Sequence, residues 1–209
     1  MVPFVLTVDQ IQSRAQQDLV DVTLAQLGEV ETLLPFTRTV GDEFQGLLAS
    51  PASVVDVTLG LMRTVAWHIG IGIGTVQQPL PSDVRQARGP AFLAARSAVD
   101  AAKKEPTHLS VQAAPDRVEG RDVEITFRLL VALQQRRSPL GWEAADLMDR
   151  GLTQAAAANT LEITRQALSQ RLQAAHWSLD REARPVLARL LARAERTATP
   201  DTPAKELRA

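Results

Sequence analysis

The heptapeptide His68-Ile69-Gly70-Ile71-Gly72-Ile73-Gly74 constrains the fold more than any other part of the chain. Its period of two is that of a β-strand, with isoleucine on one face and glycine on the other. The isoleucine face needs a core. The glycine face is bare, so either a helix backbone rests against it or it leaves room for a ligand. Both readings stay open at this level. A strand of this kind belongs in the middle of a sheet, so the rest of the first half must supply its neighbours.

Suitable neighbours are present. Phe4 to Val8 is a short apolar β-rich run closed by Asp9. Ala15 to Leu33 follows with helical spacing through Leu19, Val22, Leu27 and Val30. Thr37 to Ala49 reads as a hairpin turning at Gly41-Asp42. Pro51 opens a helix running to about Ala66, with Val54, Val55, Leu59 and Met62 inward. Beyond the alternating strand come a proline-containing loop, a helix from Gly89 to about Lys104 and a strand over His108–Val111. The expected class is α+β, with a βαββαβ order over residues 1–116.

The second half is helical, from Asp122 to about Arg196, and 122–196 reads as a second domain. Within it, residues 152–176 have the order of a helix-turn-helix. Thr153 is a cap, Gln154 to Thr160 a short alanine-rich helix, and Leu161-Glu162-Ile163 a turn. Thr164 caps a second helix, Arg165 to about Ala175. Hydroxyl side chains favour such positions because they accept from the free N–H groups of the first turn. Ala157 and Ala158 permit a close helix crossing, and Leu161, Ile163, Leu168 and Leu172 form the wedge. Arg165, Gln166, Ser169, Gln170 and Arg171 remain on the outer face. Arginine and glutamine match guanine and adenine edges, and serine suits either. Double-stranded DNA is therefore the expected partner, with Arg171 and Thr164 at phosphates or the cap. A homodimer is expected, because paired half-sites multiply a single helix's affinity. An ordinary helical hairpin is the competing reading. Glu162 stands where many such turns carry glycine.

Charge divides the chain in the same place. Residues 1–127 hold 10 Lys and Arg against 15 Asp and Glu, whereas residues 128–209 hold 13 against 9. The basic half is the one with the polar helix, as phosphate contact would require. No Cys is present, which removes disulfides, thiolate zinc sites and cysteine nucleophiles. His68, His108 and His176 form no ligand cluster. No apolar run approaches a membrane span, and a reducing cytoplasm is the expected location. The stretch 197–209, rich in Pro, Thr and charge, is expected to be disordered.

Four segments of the first half resemble class III nucleotidyl cyclases and GGDEF domains. They are Leu6-Thr7-Val8-Asp9, Arg38-Thr39-Val40-Gly41-Asp42-Glu43-Phe44, Ile69 to Gly74, and Leu93-Ala94-Ala95-Arg96. The resemblance implies a ferredoxin-like fold followed by the all-α helix-turn-helix domain. It implies Asp9 and Asp42 as ligands of Mg²⁺ held with a purine nucleotide. It puts Arg38 at a base-reading position and Arg96 at the transition-state arginine. Phe92 occupies the position of the expected Asn, and Phe92 cannot donate a hydrogen bond. Taken together, GDEFQG, HIGIGIG and RGPAFLAARSAV are similar to the pattern of the bacterial SatD family. The expectation is a transcriptional regulator with a degenerate cyclase-like sensory or dimerisation domain. The alternative is a divergent Mg-dependent nucleotidyl cyclase or nucleotide-binding protein. A nucleotide effector that changes DNA affinity would join the two.

Overall fold

In a computed structural model that describes residues 2–11 and 17–198, the alternating segment becomes a central strand. The first half supplies β1 (Phe4–Gln10), α1 (Val20–Leu27), β2 (Leu34–Arg38), β3 (Glu43–Leu48), α2 (Pro51–Met62), β4 (Trp67–Gly74), α3 (Pro90–Ala102) and β5 (Leu109–Ala114). The five strands form one sheet in the order β2-β3-β1-β4-β5. Pairing is antiparallel except between β4 and β5, which α3 joins as parallel neighbours. Five helices follow: α4 (Val118–Gln135), α5 (Pro139–Asp149), α6 (Gln154–Thr160), α7 (Arg165–Ala174) and α8 (Trp177–Ala198). The molecule is thus α+β, a mixed sheet with helices followed by a C-terminal helical region.

Register assigns every strand residue to a face. Val8 lies opposite both Phe44 and Ile69, and all three are buried in the main core. That core also takes Ile71, Ile73 and Val20, together with Val54 and Leu59 of α2. Val123, Phe127 and Val131 of α4 join it, as do Leu187 and Leu191 of α8. The segment 122–196 therefore contributes to two cores. Its α4 and α8 complete the sheet's core, while α5 to α7 surround a smaller one made of Ala144, Ala157, Ala158, Leu168 and Leu172.

The other face carries Thr7, Asp9, Glu43, Gln45, His68 and the glycines of β4. A Cβ added at Gly70 would overlap the backbone of Val99, and one at Gly72 would overlap the carbonyl of Ala91. The bare face of β4 is therefore filled by the backbone of α3. Of the two readings of the alternation, close helix packing is the one realised.

Several boundaries differ from the sequence reading. Helical spacing suggested a helix over Ala15–Leu33, but α1 spans only Val20–Leu27. Asp18 Oδ1 accepts from Val20 N at 2.9 Å, and Gln10 Oε1 accepts from Leu19 N at 2.9 Å. Those two side chains fix the start of the helix; residues 12–16 lie outside the described residues. Val22, part of that helical spacing, is exposed. α4 begins at Val118, ahead of the expected Asp122. Residues 197 and 198 of the expected disordered tail continue α8, and the remainder lies outside the described residues. Among the described residues, no helix is long and apolar enough to cross a membrane.

Candidate functional site

The helical unit α5 to α7 is built from local signals. Thr153 Oγ1 accepts from Ala156 N at 3.2 Å and starts α6. Ala157 and Ala158 are buried where the helices cross. The chain then turns through Glu162, whose φ is 54°, in the left-handed region. Ile163 N donates to Ala158 O at 3.0 Å and closes the turn. Thr164 Oγ1 accepts from Ala167 N at 3.1 Å and starts α7. Leu168 and Leu172 point into the small core, with Leu161 and Ile163 packed at its edge.

The opposite face of α7 is polar and open. Arg165, Gln166, Ser169 and Gln170 are exposed, and their side chains make no hydrogen bond or ion pair with another described residue. Gln173, which the sequence reading passed over, is exposed one turn beyond Ser169 and Gln170. Arg171 differs from its neighbours. It is half-buried and lies 3.7 Å from Glu143 of α5, so its charge is shared with the scaffold. Thr164 is exposed, with its hydroxyl committed to the cap.

A polar joint fixes this unit to the sheet. Trp142 of α5 lies between two guanidinium groups, those of Arg63 and Arg137, each 4.3 Å from the ring centroid. Arg63, at the end of α2, also binds Asp146 through two contacts, at 2.8 and 2.6 Å. Arg137 is almost fully buried. It donates to Ala175 O at 3.0 Å and to Asp180 Oδ2 at 3.0 Å. Burial alone would raise the Asp180 carboxyl. Arg184, Gln134 and Arg137 outweigh that and hold it below the usual carboxylate range. The α7 face is therefore presented in a set orientation.

The strand-end residues are arranged differently from the expectation. Asp9 is opposite Glu43 on β3 and His68 on β4, so these three share the α3 face. Asp42 precedes β3 in the turn, and its carbonyl accepts from Gln10 N at 3.3 Å. Glu43 is thus the hairpin carboxylate brought level with Asp9. Both acids have cationic partners from α3 and the residue after it. Asp9 meets Lys103 Nζ at 2.8 Å, and Glu43 pairs with Arg96 while accepting from Thr39 Oγ1 at 2.8 Å. Asp9 in turn raises the Lys103 ammonium above its ordinary value. Burial pushes the His68 imidazole down, and the neighbouring His108 ring, 4.9 Å away, adds to that.

Arg38 does not join this group. It pairs with Phe44 in register and so lies on the opposite face from Asp9 and Arg96. There Asp18 at 2.8 Å, Asp21 at 2.9 Å and Gly41 O at 2.7 Å hold its guanidinium. Phe92 packs with Val76 and Leu80 against a small apolar cluster. Among the described residues no group of three or more His, Asp or Glu could hold a metal ion. The donor set suits Mg²⁺ poorly, since a cation at Asp9 must compete with Lys103 and one at Glu43 with Arg96. The sequence held only half of the signal for Glu43: the turn at Gly41-Asp42 makes it the first residue of β3, but the pairing of β3 with β1 is what sets it opposite Asp9. Lys103 and the burial of Arg137 gave no comparable local sign.

A model of the SatD family matches residues 4–199, nearly the whole chain, and the protein belongs to that family. No curated protein and no solved structure matches it.

Proposed function

We propose that this SatD-family protein is a DNA-binding transcriptional regulator, with α6 and α7 acting as a helix-turn-helix. The observation that carries the reading is the α7 face. Four polar side chains able to read base edges stand exposed, without a partner among the described residues, on a helix whose other side is packed and whose start is capped. Arg165, Gln166, Ser169 and Gln170 contact bases in the major groove. Thr164 and Arg171 lie at the phosphates. A helix held by a packed joint suits this task, because loose positioning of the helix would discard the geometry that distinguishes one base pair from another.

The sheet half then acts as a ferredoxin-like, cyclase/GGDEF-type scaffold that has turned to a sensory or dimerising role. Supporting this, β1 to β4 follow the βαββαβ order, while Asp9, Glu43, Arg96 and Lys103 neutralise one another. Arg38 and Arg96 lie on opposite faces, so a single nucleotide seated at the strand ends does not meet both. The competing enzyme reading, a divergent Mg-dependent nucleotidyl cyclase, retains Asp9 at the end of its strand. It predicts cyclic product from ATP or GTP with Mg²⁺ or Mn²⁺, lost on Asp9→Asn.

The test is fluorescence anisotropy with the gene's own upstream duplex against a scrambled one over a salt series. A specific binder prefers its site by about 10³ or more. Arg165→Ala and Gln166→Ala are each expected to cost about 1–3 kcal/mol of that preference. If both variants fold and bind with unchanged affinity and selectivity, α7 is not the reading head.

A further inference from the structure

α4 is apolar on two sides, and only one is used inside the molecule. Val123, Phe127, Leu130 and Val131 enter the main core. A second stripe runs along the outside of the same helix, where Val118 is 66% exposed, Ile125 48% and Leu129 67%. Asp122, Ala132 and Arg136 continue that stripe, and all three are exposed. The steps from 118 to 122, 125, 129, 132 and 136 alternate between four and three residues, which is the spacing of a helix–helix seam. Leu133 flanks it, half-buried. Scattered apolar residues on a surface need no explanation, but exposed apolar residues recurring at the spacing of a helix seam, with a charge of each sign in the same row, do.

We propose that this stripe is a homodimer interface, in which α4 packs antiparallel against α4 of a second copy with Leu129 on the two-fold axis. The charges select both partner and register. Under an antiparallel two-fold at Leu129, residues whose numbers lie equally far on either side face each other. Ile125 then meets Leu133 of the second copy, and Asp122 meets Arg136 at both ends. Neither Asp122 nor Arg136 has an ion-pair partner among the described residues, so both are free for this contact. Moving the axis by half a turn would set Asp122 against Ala132 and Arg136 against Val118, leaving both charges on apolar neighbours. A self-complementary patch of this kind is what a closed two-fold dimer requires.

The seam also lies beside the helical unit. Leu129, Ala132, Leu133 and Arg136 line a shallow depression together with Ala174 and His176, at the C-terminal end of α7. The N-terminal half of α7, with Arg165, Gln166 and Ser169, is not part of that depression. The interface specifies the dimer contact that DNA reading calls for. It is tested without DNA, so the failure of one reading leaves the other standing.

The chain has no Cys, which makes engineered cysteines unambiguous. The experiment is sedimentation equilibrium on the full chain over a concentration series, with helix content followed by circular dichroism. Wild type is expected to dimerise, and Leu129→Asp to weaken the dimer roughly 100-fold without loss of helix. Asp122→Arg or Arg136→Asp alone is expected to weaken it roughly tenfold, and the two together to restore it to within about threefold. Leu129→Cys is expected to oxidise to a covalent dimer, while Val65→Cys, equally accessible on another surface, is not. A wild-type monomer throughout the series overturns the interface. So does a dimer that survives Leu129→Asp, and so does failure of the double charge reversal to rescue the single ones.

Discussion

The sheet and the α5–α7 unit treat their polar side chains in opposite ways. On the sheet, the charged residues that resemble a catalytic site are turned on one another: Asp9 on Lys103, Glu43 on Arg96, and Arg38 on Asp18 and Asp21. On the helical unit, the side chains of Arg165, Gln166, Ser169 and Gln170 have no hydrogen-bond or ion-pair partner among the described residues. The cores differ too. The sheet buries Phe4, Phe44, Phe127 and a layer of isoleucines, whereas the unit buries alanines and two leucines. The lesson is that a motif's residues can be present and yet already satisfied. A ligand at the strand ends must break existing ion pairs, while one at α7 need displace only water.

Breaking each region separately sharpens this contrast. The largest effect is expected at the sheet. Gly72→Val puts a side chain into the backbone of α3, which cannot yield as a flexible side chain would, and is expected to cost more than about 4 kcal/mol in urea denaturation. A matching change at Gly60, where a Cβ would meet nothing, separates packing from composition: Gly60→Ala should hold stability or add up to about 1 kcal/mol.

Next is the joint. Arg137→Ala leaves the buried Asp180 carboxylate with fewer partners and is expected to cost about 3 kcal/mol. The pH dependence has a definite sign. Because the folded Asp180 carboxyl lies below its ordinary value of 3.8, its stabilisation is complete above that value and is lost as pH falls toward the folded one. Asp180→Asn should therefore flatten the acid limb of a melting-temperature profile and leave the alkaline limb alone. An unchanged acid limb would mean that other carboxylates dominate it.

The smallest effects fall within the helical unit. Thr164→Ala removes the cap of α7 and should cost about 1 kcal/mol. Glu162→Gly should gain about 1 kcal/mol by relieving a left-handed residue at φ 54°, with the α7 face unaltered. If Glu162→Gly destabilises, the glutamate makes a contribution that its backbone angle does not reveal.

Much of this architecture could be read from short-range signals. The alternation at 68–74, the hairpin at Gly41-Asp42 and the threonine caps at 153 and 164 each state a local preference that the fold obeys. Positions reached through helical periodicity alone were less secure. The helix expected over Ala15–Leu33 shrank to α1, with Asp18 and Gln10 fixing its start and Gly28 following its end, and the external stripe of α4 was hidden beneath a stronger internal one.

By itself, then, the sequence determined where the strands and capped helices lie and which face of β4 and of α7 is apolar, since backbone propensity and residue spacing act over a few residues. Tertiary structure alone decided that Glu43 stands level with Asp9, that Arg38 lies on the far face, and that Arg137 is buried against Asp180. The reason is physical. Which charge meets which depends on strand register and helix docking, and those are set by the burial of distant apolar surfaces.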